Sequence, residues 1–437
     1  MNRVSHAVDR VRVSFDEPNL VANAGLLLVA TVAVRLELER LVNAKVHLAG
    51  RVGGARPGRK VMTLVHAMVA GASHIDHVDI LRSGGTAKVL PFRVMAPSTL
   101  GTFLRAFTFG HVRQLEAVVG EALRRTWSLG AGPGSARLVI DVDSTVCEVA
   151  GKAKQGAAFG YTKVLGYHPI LATRADTGEV CHARMRKGSA NTARGARRFI
   201  DELVPRLRRA GASGEIVMRF DSGFWSKETI ATLKRLDVRY TMAVRTNTPG
   251  IAAAIAAIDP KAWVDIDYTP DGVAQVAECT YQDRRLIIRR TRLTGAAQRR
   301  LWPDWRHFGF LTDLDGDVAV IDEFHRDHAT VELAIRDLKE GAGMEHVPSG
   351  DFSANSAWLQ CAVLAHNLIR WTATLGQPGP VDQLTVARTV RVRLITVPGR
   401  LVNRAGITTL RGPLGWPWAA WFTGRHQRLR ALQPVPG

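Results

Sequence analysis

Apolar positions in the first part of the chain recur at helical intervals. Runs such as VMTLVHAMVAGASHIDHVDIL and TLGTFLRAFTFGHVRQLEAVVGEALRRTW place apolar residues three and four positions apart. That spacing puts them on one face of an α-helix. The pattern predicts a helical region over residues 1–130.

The pattern of apolar and polar residues changes after the segment LGAGPGSA, which contains glycine and proline. Apolar, β-branched runs then follow one another, with a helical segment after the second: RLVIDVDSTVCEV, HPILATRADTGEVCHARMR, ARGARRFIDELVPRLRRAG, GEIVMRFDSG and VRYTMAVRTN. Strands interleaved with helices predict an α/β domain with a mixed sheet. We assign this core to residues 136–248 and 311–370, and interpret the β-rich residues 249–310 as an insertion.

Length and composition support a globular protein of two or more domains. The chain has 437 residues, of which 46% are hydrophobic and 22% charged, values that exclude disordered and fibrous classes. Its four cysteines form no CxxC pair, which disfavours a zinc ribbon and fits a reducing cytoplasm. The longest apolar run, LVANAGLLLVATVAV, is shorter than the ~18 residues of a membrane span and predicts a buried helix.

The charge of the chain favours a polyanionic partner. A formal net charge of +20 and a pI near 10.6 create a cationic field suited to nucleic acid. The basic C-terminal region, residues 371–437, has a single acid, Asp382, and interleaves tryptophans with its arginines. These are Arg388, Arg391, Arg393, Arg400, Arg404, Arg411, Arg425, Arg428 and Arg430, with Trp416, Trp418 and Trp421. The region could clamp a nucleic acid or form a helical cap packed on the core.

Carboxylates follow two of the predicted strands. In RLVIDVDSTV, strand alternation puts Asp141, Asp143 and Thr145 on one face. Asp221 comes where a second strand, EIVMRF, ends in an Asp-Ser-Gly turn. Loops at the carboxyl ends of strands carry ligands and catalytic groups in α/β sheets. Metal binding and ordinary turn capping both remain open for each carboxylate taken alone.

A third polar motif is the segment HRDHATVELAIRDLKEG, which predicts one amphipathic helix. On a wheel of ~100° per residue, its polar stripe falls within about 40° of Glu332. The stripe consists of His325, His328, Glu332, Arg336 and Lys339.

This stripe does not predict a zinc hydrolase. Such a site needs HExxH and a third ligand, whereas the histidines here are three positions apart. Two strand-end aspartates and one helical glutamate are instead the components of a two-metal phosphoryl-transfer site. Hard oxygen ligands of this kind favour Mg²⁺ or Mn²⁺, two ions in all.

Together these motifs resemble the DDE-type transposases of bacterial insertion sequences (transposase DDE group 1), from about Arg137 to Arg370. The motifs are VIDVDSTV with KQGAAFGYTKVLGYHPILAT, MRFDSGFWSKETI, and HRDHATVELAIRDLKEGAGMEHVPSG with SAWLQCAVLAHNLIRW. The resemblance implies a ribonuclease H-like mixed-sheet core with a β-rich insertion, a helical N-terminal domain and a basic C-terminal extension. It also implies Asp143, with Asp141 as fallback, Asp221 and Glu332 as metal ligands and catalytic residues.

A related branch of the family carries a Tyr, Arg, Glu, Lys signature on the last helix. Glu332 and Lys339 match its last two members, and Lys339 would hold a DNA phosphate near the scissile bond. His325 and His328 stand where the tyrosine and arginine would be. Each could donate to a phosphate or orient Glu332.

The resemblance implies a DNA transposase that cleaves the ends of an insertion sequence and joins the 3′-hydroxyls to target DNA. Lys163 and Arg336 join Lys339 and the two histidines as expected DNA-binding residues. Residues 1–130 and the basic C-terminal region would recognise terminal inverted repeats, with a homodimer joining two ends in the bacterial cytoplasm, at the nucleoid. The alternatives are a metal-dependent nuclease without strand transfer and a non-catalytic DNA-binding protein derived from a transposase.

Overall fold

The computed structural model describes residues 8–270, 272–293, 305–377 and 386–435. Its strands are, in chain order, β1 (Leu20–Val21), β2 (Leu138–Ser144), β3 (Cys147–Glu148), β4 (Ala158–Phe159), β5 (Leu165–Tyr167), β6 (Ile170–Arg174), β7 (Val180–Arg184), β8 (Ile216–Phe220), β9 (Arg239–Val244), β10 (Val264–Ile266), β11 (Gly272–Tyr281), β12 (Arg284–Leu293), β13 (Arg306–Thr312), β14 (Gly399–Arg404) and β15 (Ile407–Arg411).

Nine of these strands form one mixed sheet. The order is β10-β11-β12-β13-β9-β8-β2-β6-β7. β8 runs parallel to both β2 and β9, and the other neighbours are antiparallel. The mixed α/β sheet expected from the interleaved pattern is therefore present.

The register of β2 and β8 determines where the first two aspartates lie. Asp141 is opposite Arg219 and Val142 is opposite Phe220. Because the two strands are parallel, their carboxyl ends reach the same edge of the sheet. Asp143 and Asp221, the next positions in this register, therefore lie at that edge.

Both faces of the sheet centre are covered. All five residues of β8 are buried, and in β2 Asp141 is as inaccessible as Ile140 and Val142, all at 0% exposure. A strand covered on both faces buries polar residues as well as apolar ones. Period-2 alternation therefore identified the strand but did not reveal that its polar face is buried.

The helices pack around this sheet. They are α1 (Leu26–Arg35), α2 (Leu38–Lys45), α3 (Pro57–Ala70), α4 (Asp79–Arg82), α5 (Pro97–Arg105), α6 (Phe109–Thr126), α7 (Ala196–Ala210), α8 (Lys227–Arg235), α9 (Pro249–Ala256), α10 (Val318–Arg326), α11 (Thr330–Ala342), α12 (Phe352–Leu375), α13 (Ala387–Val390) and α14 (Ala419–Ala431).

Helix α12 joins the N-terminal helices to the sheet. Its residues 354–372 are all buried, and it contacts α1, α3, α5 and α6 as well as β7. One continuous cluster of buried apolar residues extends from Leu26 to Val435. The N-terminal helices therefore share their core with the sheet.

The β-rich segment widens the same sheet beyond β9. β11 and β12 pair along ten residues, from Gly272 opposite Leu293 to Tyr281 opposite Arg284. β13 then connects this hairpin to β9. Residues 294–304 of the expected insertion lie outside the described residues.

Segments near both ends of the chain meet in a small three-stranded sheet, β1-β14-β15. Val21, Ala24, Val397 and Leu401 bury a separate apolar cluster beside it. Residues 378–385 of the basic region, with Asp382, are outside the described part. Where the chain is described, no helix combines the length and the apolarity needed to cross a membrane.

Candidate active site

Two aspartates lie at the sheet edge, held by local backbone. The Ser144 amide donates to Asp143 Oδ1 at 2.6 Å, immediately after the buried part of β2. The Gly223 amide donates to Asp221 Oδ1 at 3.0 Å, so Asp221 caps the short turn after β8. Each carboxylate has a defined position, and each is half-buried.

Glu332 approaches this edge from α11. It lies in the first turn of that helix and is exposed. The single helix expected from His325 to Gly341 is interrupted, because a 3-10 turn at Asp327–Ala329 separates α10 from α11. A 3-10 turn winds more tightly than an α-helix, so His325 leaves the stripe that the helical wheel had predicted.

The three candidate carboxylates, Asp143, Asp221 and Glu332, act on one another electrostatically. Burial and the nearby charges of Asp221 and Glu332 raise the pKa of Asp143 to about 6, against the lowering effects of the Ser144 amide and His328. Burial also raises the pKa of Asp221. Such mutual repulsion favours binding of a cation or a proton.

Cavities adjoin these carboxylates. A cavity of about 270 Å³ is lined by Asp143 and Glu332 together with Arg336 and Lys339. A second cavity, of about 580 Å³, is lined by Asp221. Acidic ligands and basic side chains thus share open space at the sheet edge, which suits a substrate that carries phosphate.

Asp141, the fallback ligand, is engaged elsewhere. Arg219 donates to both of its oxygens, from Nε at 2.7 Å and from Nη2 at 2.9 Å. His328 Nδ1 lies 2.7 Å from the same carboxylate. Asp141 already accepts from Arg219 on both oxygens, and a carboxylate oxygen accepts hydrogen bonds, so we assign His328 Nδ1 as the donor in this contact. These contacts favour Asp143 over Asp141 as the ligand at the sheet edge.

The two histidines have different surroundings. His328, held by Asp141 through Nδ1, lowers the pKa of both Asp143 and Asp221, so its ring lies beside the candidate carboxylates. His325 Nδ1 instead forms a 2.7 Å hydrogen bond with Thr241 Oγ1. Its ring stacks on Phe310 at 4.1 Å, and burial lowers its pKa to about 3. His325 is therefore packed against the sheet as a neutral group.

Two of the three basic side chains expected to bind DNA, Lys339 and Arg336, lie at the smaller cavity, and Lys163 does not. Lys339 lines the smaller cavity, and its Nζ donates to the Val146 carbonyl at 3.1 Å. Arg336 is exposed at the same cavity. Lys163 is exposed in the turn before β5, with a φ of 57°, and lines neither cavity.

A different group of side chains has its donor atoms closest together. Within the described residues, the group of metal-capable donors that lie within 4.8 Å of one another is Glu116, His182 and Glu202. Arg184 Nη2 lies 2.8 Å from Glu116 and 2.6 Å from Glu202, and Arg113 also pairs with both. We call these five residues the arginine-matched cluster. Guanidinium groups already neutralise its carboxylates, so it fits a metal ion poorly.

Sequence reasoning missed two parts of this arrangement. The signal for Arg219 was an arginine within the apolar strand IVMRF, since a buried arginine needs an acidic partner. The arginine-matched cluster joins residues of α6, β7 and α7, and only long-range packing brings them together. No local motif could have shown it.

Comparison with known proteins gives a family and likenesses to solved structures. The family model described as transposase DDE domain group 1 matches residues 5–434. A structure of the piggyBac transposase synaptic complex with hairpin DNA is similar at 13% identity and a TM-score of 0.46, over 86% of this chain and 80% of that chain. No curated protein matches the sequence significantly.

Proposed function

This chain belongs to the family of transposases with a group 1 DDE domain, and on that premise we propose that it is a DNA transposase of an insertion sequence. It would cleave the ends of the element and join the freed 3′-hydroxyls to target DNA. Such an enzyme is a polynucleotidyl transferase with endonuclease and strand-transfer activities. Its DNA substrates would be terminal inverted repeats and a target duplex.

The observation that carries this proposal is the convergence of Asp143, Asp221 and Glu332. Two of them follow parallel neighbouring strands, and the third comes from a helix more than a hundred residues later. Both other carboxylates raise the pKa of Asp143. Where the structure is described, no lysine or arginine forms an ion pair with any of the three.

We propose a ribonuclease H-like core for the catalytic part. The strand order β7-β6-β2-β8-β9, with β6 antiparallel to its neighbours, supports it. In this proposal residues 136–248 and 311–370 form the core, and residues 249–310 are an insertion that extends the sheet. Residues 1–130 and 371–437 would recognise DNA.

The residues present fit a pair of Mg²⁺ or Mn²⁺ ions. All three candidate ligands offer hard carboxylate oxygens, and their repulsion is uncompensated by nearby guanidinium groups. Asp143, Asp221 and Glu332 would hold the ions. When bound, such ions activate a water or a 3′-hydroxyl and stabilise the leaving oxygen.

Other residues would position the DNA. Asp141 and Arg219 keep the His328 ring beside the carboxylates, so that its second nitrogen can contact the phosphate or the nucleophile. Lys339 and Arg336 line the cavity beside Asp143 and would bind phosphate oxygens. Lys163 would contact DNA farther from the reacting bond. His325 would contribute indirectly, by packing the turn that carries His328.

The Glu332→Gln variant tests this proposal. It removes one metal ligand and little binding surface, so end cleavage should be lost while binding to an end duplex stays within about 3-fold of wild type. Glu323→Gln, an exposed change on α10, is the matched control. Cleavage by the Glu332 variant at the wild-type rate would contradict the assignment.

The products of the same assay separate transposase from nuclease. A magnesium-dependent reaction on DNA that carries the repeats flanking this reading frame should join 3′-ends to target DNA. Cleavage without joined product would favour a nuclease. Binding without any product would favour a non-catalytic DNA-binding protein. Two ends captured by one homodimer would complete the proposed assembly.

A further inference from the structure

The strands β14 and β15 form a ribbon that the rest of the described molecule barely covers. They pair from Arg400 opposite Arg411 to Arg404 opposite Ile407. β1 adds a third strand only at the base, opposite Gly399 and Arg400. Residues 403–409 are all exposed, so the outer half of the ribbon projects with both faces open to solvent.

Local contacts shape the outer half of the ribbon. Ala405 and Gly406 have φ values of 49° and 76°, the left-handed pair that two-residue hairpin turns require. Thr408 Oγ1 donates to Asn403 Oδ1 across the strands at 2.6 Å. A two-stranded hairpin is marginal in water by itself, so an exposed one held in a fixed shape suggests a binding role.

The side chains near the tip match the groups that distinguish base pairs. Arginine pairs with two acceptors of guanine, asparagine pairs with adenine, and an apolar group contacts the thymine methyl. Arg404 and Ile407 supply the first and third of these chemistries on one face of the ribbon, where they lie opposite each other. Asn403 lies on the other face, opposite Thr408. All three are exposed, and Ile407 is 69% accessible.

The base of the ribbon is suited to a polyanion. Residues 386–435 contain nine arginines and no aspartate or glutamate. Arg391 donates to the carbonyls of Met68 and Val69, and Arg400 pairs with Glu17, so the other seven are the ones offered to a ligand. Arg393 stacks on Trp418 at 5.6 Å and on Trp421 at 5.8 Å, and Arg425 stacks on Trp421 at 5.2 Å. These stacks hold guanidinium groups at the protein surface, where phosphates on either side of a groove could bind them.

We infer that the β14–β15 ribbon enters the major groove of double-stranded DNA and reads bases at the ends of the element. A two-stranded β-ribbon fits a major groove of about 12 Å. Arg404 and Ile407, which lie opposite each other on one face of the ribbon, contact base edges, and the surface arginines of the base and of α14 contact flanking phosphates. This assignment rests on the proposed transposase function and names the part of the chain that gives it sequence specificity.

Binding by a full-length Arg404→Ala variant tests the inference. The probes are a duplex with the repeats flanking this reading frame and a duplex of shuffled sequence. Affinity for the end duplex should fall about 10-fold or more, and affinity for the shuffled duplex by less than about 3-fold. Arg209→Ala, which removes an exposed arginine from α7, is the control and should leave the preference for ends intact.

Chemical footprinting in the major groove tests directly whether Arg404 contacts a guanine. Dimethyl sulfate methylates guanine N7 in the major groove, and wild-type protein should protect at least one guanine in the repeat. Arg404→Ala should lose that protection while other protected positions remain. An equal loss of affinity for both duplexes, with a smaller salt dependence, would show that Arg404 binds only phosphate and would overturn base reading.

The controls separate failure of this inference from failure of the proposed function. Wild-type protein that prefers and cleaves the end duplex, with an Arg404→Ala variant that behaves identically, would overturn the ribbon assignment and leave the transposase proposal in place. Wild-type protein that neither prefers nor cuts the end duplex would overturn both. Thermal melting of each variant should match wild type, because the changed side chains are exposed.

Discussion

Two groups of carboxylates in this fold differ in what neutralises them. In the arginine-matched cluster, Glu202 would have its pKa raised by burial, yet neighbouring His182 and Arg113 lower it to about 2. At the sheet edge, burial and like charges raise the pKa of Asp143 to about 6. Burial also raises the pKa of Glu116 in this cluster, to about 7, against the lowering effects of Arg113 and Arg206. The two groups therefore differ in ion pairing: arginines pair with both glutamates of the cluster, whereas among the described residues no arginine or lysine pairs with the sheet-edge carboxylates.

The difference shows how a charge can serve stability or function. Buried charges matched by guanidinium groups hold α6, α7 and β7 together, and removing one leaves its partners unpaired. Carboxylates that lack a cationic partner lower the stability of the fold. Proteins retain them where the charge serves a function such as metal binding or catalysis. Proximity of donor atoms alone would have selected the arginine-matched cluster as the metal site, so the surrounding cations decide between the two.

The largest expected effect is at the sheet edge. Asp143→Asn should reduce end cleavage by at least about 1,000-fold, as removal of an essential catalytic group does. The melting temperature should be unchanged or higher, because the substitution relieves repulsion from Asp221 and Glu332. Cleavage assays and thermal melting check the two halves. A large loss of stability would mean that Asp143 belongs with the structural carboxylates.

The reverse result is expected in the arginine-matched cluster. Glu202→Gln should lower the free energy of unfolding by about 2 to 3 kcal/mol, because Arg113 and Arg184 lose a charged acceptor. Solvent screening limits the loss to this range, because Glu202 is partly exposed, at 21% of its side chain. Urea denaturation measures it. Cleavage per folded molecule should stay near wild type. A loss of cleavage as large as that of Asp143→Asn would show that the cluster is not purely structural.

A smaller effect on cleavage is expected at His328, whose ring lies beside the sheet-edge carboxylates. His328→Gln should slow cleavage by about 10-fold, within the range for groups that orient metal ligands, and should weaken Mn²⁺ binding measured by calorimetry. His325→Gln is the matched comparison, since that ring packs on Phe310, its Nδ1 bonds Thr241, and its centroid lies 6.3 Å from that of His328. Equal effects of the two substitutions on Mn²⁺ affinity would argue against a special role for His328.

The smallest expected effect is the contribution of His182 to the pH dependence of the free energy of unfolding. Burial and Arg206 lower the pKa of His182 to about 3, below the ordinary value of 6.5. A depressed folded-state pKa gives stability that is present above pH 6.5 and is lost as the pH falls towards 3. His182 should therefore cost the protein roughly 0.7 kcal/mol between pH 7 and pH 6. Denaturation of wild type and His182→Gln at both pH values measures this contribution: the loss of stability between pH 7 and pH 6 should be smaller by that amount in the variant, while the other buried histidines, such as His66 and His325, keep theirs.

The sequence was most informative where a local pattern and a catalytic residue coincide. Strand patterning predicted that Asp143 and Asp221 follow two strands, and the motif around Glu332 predicted a helix that presents it. The structure brings these three residues together, as the family resemblance implied. Their roles as ligands stay a prediction that the variants above test.

Local patterning failed where a long-range contact decides the outcome. The helical wheel treated His325 and Lys339 as one stripe, but the turn at Asp327–Ala329 sends His325 to Thr241. Alternation could not tell Asp141 from Asp143, because both project from the same face of β2. Arg219, two positions before Asp221 in the sequence, distinguishes them by pairing with Asp141.

The sequence by itself determined the family, the mixed sheet, the basic character of the chain and the three candidate carboxylates, because each depends on residue order or composition. Tertiary structure alone decided which carboxylates are neutralised and which remain free. Partners such as Arg219 for Asp141 and Arg184 for Glu202 come from elements far apart in the chain. Charge matching depends on distances of a few ångströms between such elements, and only packing sets those distances.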